Sequence, residues 1–189
     1  MKANIPWHRY SLITYLTRKL QNKSPQLGKT ALQKFIFLLQ ELEGVDCGYD
    51  FILYNYGPYD PQIQIDLSVV KNLKGVEIEN SIWGLGYEIR PGSKAEEICK
   101  RGQNFLKEFS KQIDHIIDVF GNYPAKFLGL ISTIVYILKE RNGNIFLKDL
   151  EKTIKEIKPH FSSKDIEEAL SVLEKAGFVE IRNGKLFLK

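Results

Sequence analysis

Ala169-Leu170-Ser171-Val172-Leu173-Glu174-Lys175-Ala176-Gly177-Phe178-Val179-Glu180-Ile181-Arg182-Asn183-Gly184-Lys185-Leu186-Phe187-Leu188 is the stretch on which the reading of the fold turns. Ile166, Ala169, Leu170 and Leu173 recur at helical spacing and define one apolar face. Lys175-Ala176-Gly177 predicts the helix end, because Gly177 can take the left-handed conformation at no steric cost. Upstream, Ser162 followed three positions later by Asp165 predicts a capping-box start. Downstream, residues 178–182 and 185–188 are apolar-rich runs separated by Asn183-Gly184, a strong hairpin signal.

Outward from this stretch, residues 124–141 form a helix with Phe127, Leu128, Leu130, Ile131, Ile134, Val135, Ile137 and Leu138 on nearly every side. Such a helix is buried all round, so it joins two halves of the molecule or two copies of it, and a homodimer is expected. Asn142-Gly143 ends it, Ile145-Phe146 gives a short β segment, and 147–157 predicts a helix with Leu150, Ile154 and Ile157 inward. Helix, short strand, helix, helix, two-stranded hairpin is the order that resembles a winged-helix domain, and 122–189 is assigned to such a lobe. Residues 1–121 form a helical N-terminal lobe with a small β hairpin. The expected class is α+β, predominantly helical. No low-complexity linker separates the lobes, so they should pack together.

In the N-terminal lobe, 7–22 predicts a helix from Leu12, Ile13, Leu16 and Leu20, broken by Ser24-Pro25 and Gly28. A second helix, 29–43, carries Leu32, Phe35, Ile36, Leu39 and Leu42 on its apolar side and ends at Gly44. Thr30, Gln33, Lys34 and Glu41 form its polar stripe. Phe37 interrupts that stripe, either packing on a neighbouring element or serving as a contact surface. Residues 49–56 predict a strand, and 57–61 a turn whose Asp60 caps a helix opening at Pro61. A hairpin is expected from 76–79 and 82–89, followed by one long amphipathic helix from 95 or 102 to 120.

Charge is unevenly placed. The first 40 residues hold seven bases (Lys2, Arg9, Arg18, Lys19, Lys23, Lys29 and Lys34) and no acid. Gathered on one face, they would create a positive field for a polyanion or an acidic partner; alternatively they form a solvated face. The would-be recognition helix at 163–176 is unsuited to DNA: Lys164 and Lys175 stand against Asp165, Glu167, Glu168 and Glu174. The hairpin is more suitable, with Arg182 and Lys185 beside its tip. Arg18, Lys19, Lys23, Lys29, Lys34, Arg182 and Lys185 are therefore the candidate nucleic-acid contacts.

Gly28-Lys29-Thr30-Ala31-Leu32-Gln33-Lys34-Phe35-Ile36-Phe37-Leu38-Leu39, with Gly48-Tyr49-Asp50-Phe51 and Tyr54-Asn55-Tyr56-Gly57-Pro58-Tyr59, resembles the YwgA-like family of bacterial and archaeal proteins. The Leu-Gln-Lys helix followed by Tyr-Gly-Pro is also similar to the SocA (Panacea) antitoxin-like domain. This chain continues with Tyr59-Asp60-Pro61, where the antitoxin pattern has a further Val-x-Pro. The resemblance implies a helical regulatory or interaction protein without established catalytic residues. Residue by residue, the aromatic turn is either structural or a preformed patch, with Phe37, Tyr54, Tyr56 and Tyr59 as candidate partner contacts.

Little in the sequence suggests enzymatic chemistry. His8, His115 and His160 lack neighbouring ligands at metal spacing, as do Cys47 and Cys99. Gly84-Leu85-Gly86 lacks the third glycine of a dinucleotide site, and Gly28-Lys29-Thr30 lacks the first glycine of a phosphate loop. No cofactor, metal or catalytic residue is expected. No apolar run reaches the length of a membrane span, and the first six residues carry no apolar signal segment, so a cytoplasmic protein with free thiols is expected. Two readings stay open: a DNA-binding transcription regulator, and a protein-interaction module such as an antitoxin-like or adaptor protein.

Overall fold

The computed structural model describes residues 5–81 and 86–189. The fold is α+β and predominantly helical, with small antiparallel sheets. Among the described residues no helix is long and apolar enough to cross a membrane. The N-terminal half begins with α1 (Trp7–Leu20) and α2 (Lys29–Glu43), the latter closed by Gly44 in the left-handed conformation. A tight hairpin, β1 (Ile52–Tyr54) and β2 (Gly57–Tyr59), precedes α3 (Pro61–Asn72). Asp60 caps α3 by accepting from the Gln62 N–H at 2.7 Å, with Pro61 at the first helical position as the sequence requires.

The hairpin corrects one expectation. Gly57-Pro58-Tyr59 is the second strand, pairing Leu53 with Pro58, and the turn consists of Asn55 and Tyr56. Pro58 is tolerated because this is an edge strand, where its missing N–H breaks no ladder. Gly57 sits at φ +96. A side chain there would meet the Gly129 carbonyl at 3.0 Å, and one at Gly129 would meet the Tyr56 carbonyl at the same distance. Two facing glycines thus let the hairpin corner rest directly on a helix.

β3 (Val76–Asn80) and β4 (Tyr87–Pro91) form a second hairpin, and 82–85 of the expected one lie outside the described residues. The single long helix expected next is three: α4 (Ala95–Arg101), α5 (Gln103–Glu108) and α6 (Ser110–Phe120). The first break lies at Gly102, where α1 comes so close that a Cβ would stand 2.7 Å from the Trp7 carbonyl. The second lies at Phe109, whose ring packs on Phe105 at 5.0 Å.

α7 (Ala125–Glu140) runs through the centre, with Leu128, Leu130, Ile131, Ile134, Val135 and Leu138 fully buried. Each such side chain contributes roughly 1.5–3 kcal/mol of transfer free energy. α7 packs on α2 and β2 on one side. On the other it meets β5 (Asn144–Phe146), α8 (Leu147–Ile157), α9 (Ser163–Lys175) and β7 (Lys185–Leu188). Its apolar faces are therefore covered within one chain. β6 (Val179–Arg182) completes a sheet of order β5-β7-β6. The capping box at Ser162 and Asp165 is present, Gly177 is left-handed, and Asn183 and Gly184 both have positive φ in the connecting turn. Cys47 and Cys99 are buried free thiols.

Candidate functional site

The six described cations of the N-terminal segment do not share a face. Arg9 lies 3.0 Å from buried Asp66 of α3. Arg18 sits on α1 beside Cys99 and Glu96 of α4. Lys19 pairs with Asp114 at 3.2 Å and Lys23 with Asp118 at 2.6 Å, both carboxylates one turn apart on α6. Lys29 lies 4.2 Å from the Tyr87 ring centroid. Lys34 is 2% exposed and points inward. The sequence pattern could not show this, because the acids that meet Lys19 and Lys23 come from a helix about 95 residues later. At a distance each pair acts as a dipole rather than a charge.

At the C-terminal hairpin, Arg182 engages Glu180 through both Nε and a terminal nitrogen, and Lys185 lies over Phe146 and Phe187. Among the partner candidates, Phe37 is 1% exposed and packed edge-on against Phe51, so it is core and no contact surface. Its place in the polar stripe misled because that stripe is itself covered: Gln33, like Lys34, is buried. Gln33 donates to the Asp60 carbonyl at 2.8 Å and accepts from the Asp60 N–H at 3.1 Å.

What the structure does bring together is the aromatic hairpin and two lysines from opposite halves. Lys34 Nζ donates to the Pro58 carbonyl at 2.5 Å. Lys158, just after α8 and 3% exposed, donates through Nζ to the Asn55 carbonyl at 3.0 Å. Among the described residues neither ammonium has a carboxylate within ion-pairing distance. Burial and the Lys158 charge push Lys34 down to about 7, and burial lowers Lys158 as well. Gln33, Lys34 and Lys158 thus hold the backbone of 55–60, while Tyr54 and Tyr56 project outward at 57% and 73% exposure. The Tyr54 and Tyr59 rings pack with centroids 5.6 Å apart, tilted by 36°.

Two hollows flank Tyr56 and share Thr30. The larger, about 670 Å³, opens between the halves and is lined by Asn55, Lys126, Lys158, His160 and Phe161 besides these two residues. The smaller, about 190 Å³, is bounded by Lys29, Lys34, Tyr54 and Tyr59. Lys158 was not singled out in the sequence; its only signal was a lysine directly before Pro159 at a helix end. Among the described residues no group of three or more His, Cys, Asp or Glu could hold a metal ion. Compared with known proteins, the chain matches no family model and no curated relative.

Proposed function

We propose that this chain is a non-enzymatic regulatory interaction module that grips a protein partner with the hairpin carrying Tyr54 and Tyr56. The observation that carries this reading is the combination of a fixed backbone with exposed rings: three buried polar side chains hold residues 55–60, and Ile52, Tyr54 and Tyr56 stand out beside a cleft. Rigid aromatics lose little entropy on association, which is why they anchor interfaces. The resemblance of residues 28–59 to YwgA-like and SocA antitoxin-like proteins agrees with such a role, inside the cytoplasm.

A second reading, DNA binding, draws support from the order of α7, β5, α8, α9, β6 and β7, which resembles that of a winged helix, with Lys185 next to the hairpin tip. It is the weaker reading because α9 is acidic and Lys19 and Lys23 are already paired.

One experiment separates the two. A photo-crosslinking amino acid is placed at position 56 or at position 185 in cells. The interaction reading expects discrete protein adducts from position 56. Nucleic-acid adducts from position 185, with none to protein from position 56, would replace it by the DNA reading.

A further inference from the structure

Lysines that are almost fully buried are rare unless paired with an acid, because an ammonium loses its hydration on burial. Lys158 has three N–H donors and, among the described residues, one acceptor, the Asn55 carbonyl. Lys34 is in the same position with Pro58, and its neighbouring like charge is Lys158. Lys126 stands exposed at the edge of the larger hollow, 5.5 Å from the Phe161 ring centroid. No Asp or Glu is among the described residues lining either hollow. Asp165 is near enough to feel Lys126, but it is committed to capping α9 by accepting from the Ser162 N–H and hydroxyl. The cleft is therefore a lysine-bearing recess with aromatic walls, with no acid in its lining and with Asp165 outside that lining as a partial counter-charge to Lys126.

We infer that this recess takes a carboxylate-bearing segment of the protein partner, an acidic side chain entering between Tyr56 and Phe161 to meet Lys126 and Lys158. The inference rests on the interaction reading above and names what the partner must present. Charge complementarity selects an anion. The shape selects a peptide: a hollow of about 670 Å³ admits one side chain and its flanking backbone, whereas duplex DNA needs a broad exposed row of cations. The aromatic rings then pack on the apolar part of the same segment.

The test is a selection of peptides from a random displayed library against the full chain, followed by affinity measurement on the selected sequences. Peptides enriched in Asp or Glu next to an apolar residue are expected. Lys126→Glu, a change at an exposed position, should weaken them roughly tenfold or more, and raising salt from about 50 to 300 mM should weaken them further. Lys19→Glu should change affinity less than about twofold. Lys158→Met is informative only if its unfolding midpoint stays near the wild type, so the exposed Lys126 variant decides the matter. Peptides without acids that depend on Tyr56 would overturn this inference and leave the interaction reading standing. No selected peptide at all would overturn both. A single-stranded oligothymidylate that displaces the peptides and is itself sensitive to Lys126→Glu would assign the recess to nucleic acid instead.

Discussion

Two groups of lysines in this chain have opposite fates. Lys19 and Lys23 sit on or after α1, half-exposed, each facing a carboxylate of α6. Lys34 and Lys158 are buried, face backbone carbonyls, and have no acid nearby among the described residues. The first group belongs to the acid-free opening stretch of the sequence; the second lies at the hollows beside the hairpin. What matters for recognition is the net field after internal partners are subtracted and after burial has reduced the charge of a desolvated lysine.

The contrast breaks most visibly at Lys34. At pH 8.5, where burial has already made much of this amine neutral, Lys34→Ala removes a packed stem and leaves the Pro58 carbonyl unmet, which should cost about 2–4 kcal/mol by urea unfolding. A smaller effect sharpens the comparison through pH. The folded pKa of Lys34 is about 7, below its ordinary 10.5, so the unfolded chain binds more protons between those values and stability rises with pH across the window. Between pH 7 and 8.5 the wild type should gain about 1–2 kcal/mol, a slope that Lys34→Met largely removes. Above that range the buried Cys47 and Cys99 thiols, both pushed up by burial, work in the opposite direction. The smallest effect belongs to the surface pairs: Lys19→Ala and Lys23→Ala should each shift stability by less than about 1 kcal/mol, shrinking further in high salt. A loss of several kcal/mol there would mean that the α1–α6 pairs are structural pillars.

The C-terminal elements were legible because their signals are local. Ser162 with Asp165, Gly177 and Asn183-Gly184 act within a few residues, and each stands where it was expected. Asp60-Pro61 read correctly for the same reason. The cleft was not legible, since Lys34 and Lys158 meet around one hairpin only through the packing of α7 on α2. Helical periodicity identifies the polar stripe of α2 but not that another element covers it, so Lys34 reads as a surface cation and Phe37 as either packed or exposed. The breaks within 95–120 were hidden likewise, because the cause at Gly102 is the approach of Trp7 and Ser11 from a different helix. Gly129 carried a faint signal, a lone glycine in an otherwise apolar helix, and its meaning appeared only with Gly57 against it.

The two sulfhydryls, shielded on different elements, make the molecule its own reporter. Cys47 lies in the core after α2 and Cys99 on α4, and burial holds both in the unreactive protonated form. An alkylating reagent can therefore modify Cys47 only when the core after α2 opens, whereas Cys99 lines a surface hollow beside Tyr15 and Arg18. Comparing the two labelling rates in native buffer times the opening of the α2 core against a thiol that already borders the surface.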